Sequence, residues 1–381
     1  MTDEKQNAMP ESIEIPHEIN SVSDLSQILQ KLSKLSESEE LDELEKSSNP
    51  EKLDDQKKEG KTRFFRGHAD KDWKLLPSIY RETHLKKNED KIIKDALTYC
   101  PDDFSPSDTL FEKLVKLQHY GYSTRLLDLT TNALVALYFA AQPYKEKKPY
   151  SDEYKSKDGE LIILDIPNKE VKYWDSDTVS VISAISLQNK SFNLSELINR
   201  DDTLYKNNFF FEKAYKAAFF KKMISTIKKI NKEEGKKIEE YYNSLSEEEA
   251  FVLIKSFFNS QPEISKLLHT IRADKPSFHP VIDSRDLQRV LCVRAKLNNA
   301  RISRQQGCFL LFGIGGNKTE AAVIPDDWQR LASNSQKILV KAESKDAIMK
   351  ELQSFGISKR TLFPELEAQA KEIMDYYKGQ K

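Results

Sequence analysis

Three short segments of this sequence combine side chains that could bind an anion or a sugar with apolar neighbours. They are residues 62–70, 122–128 and 301–309, and they lie far apart along the chain. Arginine binds phosphate or carboxylate oxygens in pairs, whereas hydroxyl and amide groups suit sugar hydroxyls. The fold would have to bring the segments together, so the sequence predicts a pocket assembled from separate elements.

The first segment places Arg66, Gly67 and His68 directly after two phenylalanines, at the end of a predicted strand. Arg66 could hold a phosphate, and Gly67 would let the backbone approach a ligand closely. His68 could transfer a proton or donate a hydrogen bond to a ribose. The simpler alternatives are a surface ion pair for Arg66 and a structural role for His68.

The second segment offers the hydroxyls of Ser123 and Thr124 and a second cation at Arg125. Asp128 follows three residues after Arg125, so it could pair with that arginine. It could also cap the next predicted helix, as could Thr130 or Thr131. A binding role for Ser123 and Thr124 stays open at this stage.

In the third segment, strand alternation would place Gln305, Gly307 and Phe309 on one face. The Gln305 amide could bind a sugar hydroxyl with both its donor and its acceptor. It cannot act as a general base, because it has no titratable proton.

The amino-acid composition limits the classes of protein to which this chain could belong. The chain has 381 residues, of which 38% are hydrophobic and 32% are charged, so it can bury a core. It has no apolar run of about 18 residues and no basic-then-apolar N-terminus, which predicts a cytoplasmic protein. Its three cysteines form no CxxC pair, which favours a reducing compartment and argues against structural zinc.

The net charge of −1 conceals an asymmetry between the N-terminus and the rest of the chain. Residues 1–60 carry a net charge of −9, which leaves +8 for the remaining residues. A mildly basic body suggests an acidic partner such as a nucleotide or nucleic acid. The alternative is that these lysines are simply solvated surface.

The pattern along the chain predicts an acidic arm and a helical insertion. Residues 1–60 are interpreted as a disordered arm with one amphipathic helix, from position 23 to about 44. Residues 186–285 are interpreted as a helical insertion that is rich in Lys and Phe. Within it, Phe211, Tyr215 and Phe219 share one helical face, which is either core or a stacking surface for bases.

Taken together, the motifs resemble the FRG domain family, which is named for a Phe/Tyr-Arg-Gly motif. The resemblance rests on residues 65–67, 118–130 and 301–309, in that order, and the runs 136–140 and 362–366 also fit. It spans approximately residues 62–370. It implies that residues 61–185 and 286–381 are the two parts of an FRG domain, separated by the insertion.

The order of polar residues is also similar to the Arg–Ser–Glu layout of ADP-ribosyltransferases, which bind NAD without a GxGxxG motif. That resemblance implies an α/β (α+β) fold with a split, mixed sheet around an NAD-sized cleft. Arg66, with Gly67, His68 and Arg125, would bind NAD as substrate. Ser123 or Thr124 would orient the nicotinamide ribose.

Gln305 would then stand where those enzymes have a glutamate. An amide can bind the ribose 2′-hydroxyl, but it lacks the negative charge that stabilises a cationic transition state. Three consequences are open. Another carboxylate stabilises the transition state, turnover is slow, or the site binds NAD without a reaction.

The leading hypothesis is a NAD-dependent mono-ADP-ribosyltransferase, acting as a bacterial toxin or anti-phage defence effector on RNA, DNA or protein. The acidic arm would dock an inhibitory or regulatory partner, and no membrane is involved. The second hypothesis is a non-catalytic module that binds a nucleotide or nucleic acid in the same cleft. A third, metal-dependent hydrolysis by His68, Asp70, His119 and Asp128, lacks metal-ligand spacing on one helix face, so no metal is predicted. The sequence leaves the acceptor, the partner and the trigger open.

Overall fold

A mixed β-sheet runs through the centre of the computed structural model of this protein, and nine of the described strands form it. The structure describes residues 14–46, 60–147, 154–195, 224–225, 227–244 and 246–378. In chain order the strands are β1 (Glu18–Ile19), β2 (Lys61–His68), β3 (Leu126–Thr130), β4 (Lys145–Lys147), β5 (Tyr154–Ser156), β6 (Gly159–Pro167), β7 (Val171–Tyr173), β8 (Val290–Arg294), β9 (Gly307–Phe312), β10 (Gln329–Arg330) and β11 (Ile338–Val340).

The order across the sheet is β1-β11-β6-β2-β3-β9-β8-β7, with β10 also paired to β6, whereas β4 and β5 form a separate hairpin. The outermost pairs, β1 with β11 and β7 with β8, are parallel. The pairs between them are antiparallel. With helices on both faces, this confirms the predicted α/β class with a mixed sheet.

The sheet is split between β2 and β3. Strand β2 pairs with β6 along its whole length, from Lys61 to His68, and β3 pairs with β9 over all five of its residues. Between β2 and β3 the register contains a single pair, Phe65 with Thr130. The two halves of the sheet therefore separate beyond this pair, which leaves room for side chains in the middle of the fold.

Helices cover both halves of the sheet. In chain order they are α1 (Val22–Lys46), α2 (Thr83–Lys87), α3 (Glu89–Tyr99), α4 (Leu110–His119), α5 (Ala133–Ala140), α6 (Asp177–Ala184), α7 (Lys232–Ser244), α8 (Glu247–Asn259), α9 (Pro262–Asp274), α10 (Ala300–Arg304), α11 (Lys345–Ser354), α12 (Lys359–Leu362) and α13 (Leu366–Lys378). Among the described helices, none is both long enough and apolar enough to cross a membrane.

Helix α5 lies directly against the strand that carries the Arg-Gly motif. A Cβ atom at Gly67 would stand 2.0 Å from the main-chain oxygen of Ala136, so only glycine allows the helix to approach β2 this closely. The helix begins at Asn132, whose side chain accepts hydrogen bonds from the amides of Leu134 and Val135. The predicted caps Asp128, Thr130 and Thr131 are wrong, because β3 continues through Thr130 before the helix begins.

The predicted insertion contributes helices where the structure describes it. In α9, Ile264, Leu267 and Ile271 are buried in the core that also contains Leu291 and Val293 of β8. Residues 196–223, with the aromatic stripe of Phe211, Tyr215 and Phe219, lie outside the described residues.

The N-terminal amphipathic helix is confirmed as α1, and its apolar stripe is already covered by the rest of the chain. Leu25, Ile28 and Leu32 are buried together with Ile348 and Leu352 of α11. The preceding strand β1 extends the sheet beside β11. The stripe therefore belongs to the core, and the docking of a regulatory partner by the arm stays a prediction.

Replacing Ile28 with alanine tests this packing. We expect Ile28→Ala to lower the free energy of unfolding by about 3 kcal/mol, because it removes a fully buried side chain and leaves a cavity. The neighbouring Gln27 is exposed on the same helix, so Gln27→Ala should change the free energy of unfolding by less than about 0.5 kcal/mol. Urea denaturation followed by circular dichroism measures both. Equal stability of the two variants would show that α1 is not packed on the body.

Candidate functional site

A cavity of about 460 Å³ lies where β2 and β3 separate. Its walls come from β2, β3, β9, α4, α5, α10 and the loop before β4. Its polar lining residues are Arg66, Gln118, His119, Asp128, Thr130, Gln142, Arg301 and Gln305. Its aromatic lining residues are Phe65, Trp73, Phe139, Tyr144 and Phe309. This combination of apolar walls and a few convergent polar groups is typical of small-molecule sites.

Arg66 bridges the split in the sheet. The register that pairs Phe65 with Thr130 would place Gly67 opposite Asp128, but the strands have already separated there. Instead, the Arg66 side chain donates from Nη1 to the Asp128 main-chain oxygen at 2.6 Å. Burial lowers the pKa of Arg66, the Asp128 carboxylate opposes this shift, and Arg81 adds to it. The guanidinium still carries its charge, since an arginine is not deprotonated in a protein.

His68 lies behind Arg66 and holds it from the other side. Its Nε2 atom accepts a hydrogen bond from Arg66 Nε at 2.9 Å, and the imidazole is fully buried. Burial and, to a smaller extent, the charge of Arg66 lower the pKa of His68 to about 3. The ring is therefore neutral, with its proton on Nδ1 facing Glu160 Oε2 at 3.9 Å. His68 positions Arg66 and does not line the cavity, which differs from the predicted contact with a cofactor.

A hydrogen-bonded chain leads from Thr124 to the cavity carboxylate. Thr124 is fully buried, and its hydroxyl donates to Gln118 Oε1 at 2.7 Å. Gln118 Nε2 in turn donates to Asp128 Oδ2 at 3.1 Å. The Asp128 carboxylate also lies 3.9 Å from Arg66 Nη1. Thr124 therefore acts through Gln118, whereas the neighbouring Ser123 is half-buried and lies outside the cavity lining.

Gln305 does line the cavity, but it is not on a strand as predicted. Asn299 caps the short helix α10, and Gln305 is the C-terminal cap of that helix. Gln306 then adopts a positive φ of 47°, which reverses the chain into β9. The Gln305 amide donates to the main-chain oxygen of Leu362 at 3.1 Å, so its donor binds the protein itself.

Arg125 belongs to the core and not to the cavity, in contrast to the prediction. Its Nε and Nη2 atoms bind both carboxylate oxygens of Glu89, at 2.9 and 2.6 Å. Its Nη1 atom donates to the main-chain oxygen of Phe312, and the side chain is fully buried. The predicted pairing with Asp128 is wrong, because alternation along the chain directs the two side chains to different partners. Arg125 joins α3 to β9.

Most of the lining residues were not selected as cofactor or catalytic residues from the sequence, and these include Gln118, His119, Asp128, Arg301, Trp73 and Tyr144. Arg301 stacks on the Phe363 ring at 4.7 Å, and Trp73 and Tyr144 form an edge-to-face pair at 5.2 Å. Trp73 and Tyr144 each lie in a loop, where no periodic pattern marks them. Arg301 is the first residue of the third segment, so its place there was a usable signal for that residue.

The four residues of the metal hypothesis occupy different surroundings. His119 and Asp128 line the cavity, His68 is buried behind Arg66, and Asp70 accepts a hydrogen bond from the Asp72 amide. Within the described ranges, no group of three or more His, Cys, Asp or Glu side chains is arranged to hold a metal ion.

The buried neutral His68 predicts that stability depends on pH. The folded state binds a proton on His68 only near pH 3, whereas the unfolded chain binds it near pH 6.5. Stability is therefore complete above about pH 6.5 and is lost as the pH falls, by on the order of 1 kcal/mol per pH unit. His68→Gln keeps an acceptor for Arg66 and removes the titration. Urea denaturation between pH 7 and 5 should show a clear slope for the wild type and a flatter one for the variant. Identical slopes would mean that His68 is accessible to protons in the fold.

The FRG domain family model matches residues 61–149, a range that contains β2, α4, β3, α5 and β4. A search of curated proteins found no match, and a search of solved structures found none either. Residues 301–309 and 362–366 lie beyond the matched range, although α10 and β9 complete the same cavity. Residues 61–149, which carry Arg66 and Asp128, are therefore similar to the FRG domain family.

Proposed function

We propose that this chain binds NAD in the cavity and transfers its ADP-ribose to an acceptor. The observation that carries the proposal is the pairing of a fixed guanidinium with a carboxylate: Arg66 Nη1 and Asp128 Oδ2 are 3.9 Å apart in one cavity. A dinucleotide that is cleaved at its ribose needs both kinds of group. The cation binds the diphosphate, and the anion stabilises the positive charge that develops on the sugar.

The arginines of the cavity suit a diphosphate. Arg66 is held through Nε by His68 and through Nη1 by the Asp128 carbonyl, so its orientation is set before a ligand arrives. Arg301 is held against Phe363 on the α10 side of the cavity. Preorganised guanidinium groups lose little side-chain entropy on binding an anion, which favours tight and oriented binding.

The aromatic lining suits the bases of a dinucleotide. Trp73 and Tyr144 stand together at the cavity with 37% of each residue exposed, so their rings reach both the interior and the solvent. Phe139 and Phe309 line the interior. Planar rings stack on such surfaces with a gain of about 1–3 kcal/mol per base.

The carboxylate for the chemical step is Asp128 and not Gln305. Gln305 is neutral, and its amide nitrogen donates to Leu362. Asp128 has a negative charge and is oriented by Gln118. As the bond from C1′ to the nicotinamide nitrogen breaks, its electron pair leaves with nicotinamide. Asp128 then stabilises the cationic sugar until the acceptor attacks C1′.

A non-catalytic nucleotide-binding module is the second candidate, and one observation favours it. The Asp128 side chain is 58% exposed, so solvent weakens its interaction with a developing positive charge. On this account the cavity binds NAD or a related nucleotide and releases it unchanged. In the transferase proposal, the acceptor is nucleic acid or protein. The proposed biological role is that of a toxin or defence effector.

Substitution of Asp128 separates the two candidates. For an active enzyme we expect Asp128→Asn to slow nicotinamide release from NAD by about 100-fold, because one preorganised charge is removed. Its affinity for NAD should change by only a few fold, since the diphosphate is bound by the arginines. Release is measured by chromatography with total RNA, DNA or lysate protein as acceptor, and affinity by calorimetry.

The matched control is Asp95→Asn, which removes an exposed carboxylate on α3, outside the cavity lining. It should leave both release and affinity unchanged. Wild-type protein that binds NAD and releases no nicotinamide with any acceptor would support the binding module and contradict the transferase.

A further inference from the structure

His119 and Glu365 form a pair at the edge of the cavity. His119 is the last residue of α4 and lines the cavity, with 13% of its side chain exposed. Its Nε2 atom lies 3.4 Å from Glu365 Oε1. Neither residue takes part in the binding of phosphate or the stabilisation of the sugar described above.

Glu365 Oε1 is shielded from solvent, and no hydrogen bond to it is formed by the residues that the structure describes. The atom it faces is His119 Nε2. A buried carboxylate oxygen beside an imidazole favours the tautomer with the proton on Nε2, because this proton points at the negative charge. Nδ1 is then the atom of the ring that can accept a proton.

The segment that carries Glu365 is held in place from the α10 side. Gln305 donates to the main-chain oxygen of Leu362, and Arg304 donates to that of Thr361 at 3.4 Å. The Phe363 ring packs under Arg301 and against Phe139 at 6.2 Å. These contacts fix the chain between α12 and α13, so the position of the carboxylate relative to α4 is also fixed.

The surroundings of His119 favour its neutral form, chiefly through burial. Burial lowers its pKa, Arg301 lowers it further, and Glu365 opposes the shift. Arg66 and Asp128 face it from the other walls of the same cavity. A neutral imidazole in a cavity is able to accept a proton from a reacting group.

We propose that His119 is the general base for the acceptor in ADP-ribose transfer and that Glu365 is its positioning residue. This inference rests on the proposed function. A lone pair of the acceptor oxygen or nitrogen forms the new bond to C1′, and the bond from C1′ to nicotinamide breaks with its electrons on nicotinamide. The acceptor proton passes to His119, which becomes an imidazolium and later releases the proton to solvent.

The competing explanation is that the pair only ties the C-terminal segment to α4. Such a tether would affect stability and would leave the pH dependence of turnover unchanged. A general base contributes a factor of about 10²–10⁴ to the rate and adds an acid limb to the pH profile, because protonated histidine is inactive. The pH dependence of turnover therefore distinguishes the two explanations.

The experiment follows nicotinamide release from NAD between pH 5 and 9, with water as acceptor and with total RNA as acceptor. We expect His119→Gln to reduce the rate by about 100-fold and to remove the acid limb, with unchanged affinity for NAD by calorimetry. Glu365→Gln should reduce the rate less and shift the acid limb to a lower pH, because the carboxylate raises the pKa of His119.

Two controls match these variants. His84→Gln replaces an exposed histidine on α2, and Glu367→Gln replaces an exposed glutamate on α13. Both should behave as the wild type. If His119→Gln keeps the wild-type rate or retains the acid limb, the base assignment is overturned while the proposed function stands. If the wild type itself releases no nicotinamide, the proposed function fails and the assignment fails with it.

Discussion

The contact between the Arg66 guanidinium and the main-chain oxygen of Asp128 connects the two halves of the sheet where β2 and β3 separate. A sheet that separates in its middle leaves main-chain groups without a partner strand, and these groups need another hydrogen-bond partner. Here a charged side chain supplies the missing donor at 2.6 Å. The same guanidinium faces a cavity of about 460 Å³, so one residue completes the sheet and defines the site.

The surroundings of Arg66 follow from this double role. A protonated histidine beside Arg66 would repel the cation, and burial holds His68 in the neutral form that can accept a hydrogen bond from Arg66 Nε. Gly67 has no side chain, so α5 can lie against β2 and close one wall of the cavity. Gly67 is therefore explained by the close approach of α5, and His68 by its hydrogen bond to the partly buried Arg66 cation. This makes the motif a structural requirement as well as a candidate for ligand binding.

Much of the fold could be predicted from local patterns in the sequence. Strand β6 is a continuous apolar run between a glycine and a proline, and α4 has an apolar stripe that ends before Gly121, so the local pattern predicts both elements. Strand β3 was missed, because its alternation of leucines with Asp128 and Thr130 covers only five residues. Residues 321–324 also have a strand-like apolar pattern, but they contribute only an isolated bridge between Ala321 and Ile314. Short segments of this kind are decided by long-range pairing that a local pattern does not contain.

The same distinction applies to the site. Arg66 was identified because its type and neighbours are distinctive within a few residues. Arg125 has equally distinctive neighbours. However, it forms a buried ion pair with Glu89, which lies 36 positions earlier. Gln305 was predicted to lie on a strand. The helix cap at Asn299 and the chain reversal at Gln306 depend on backbone geometry, which the sequence pattern does not show. Residue types indicate which functional side chains the chain contains. Contacts with residues distant in sequence determine which of these side chains come together in the cavity.

The central claim is that Arg66 holds the phosphates of a dinucleotide in this cavity. Calorimetric titration of NAD into the wild type, Arg66→Ala and the exposed control Arg294→Ala tests it most directly, with circular dichroism to verify that each variant is folded. The account predicts saturable one-to-one binding that ADP-ribose displaces. It also predicts a loss of affinity of about 10- to 100-fold in Arg66→Ala alone, as expected when a charged hydrogen bond is removed. Absence of NAD binding to the wild type, or equal affinity in a folded Arg66→Ala protein, would contradict it.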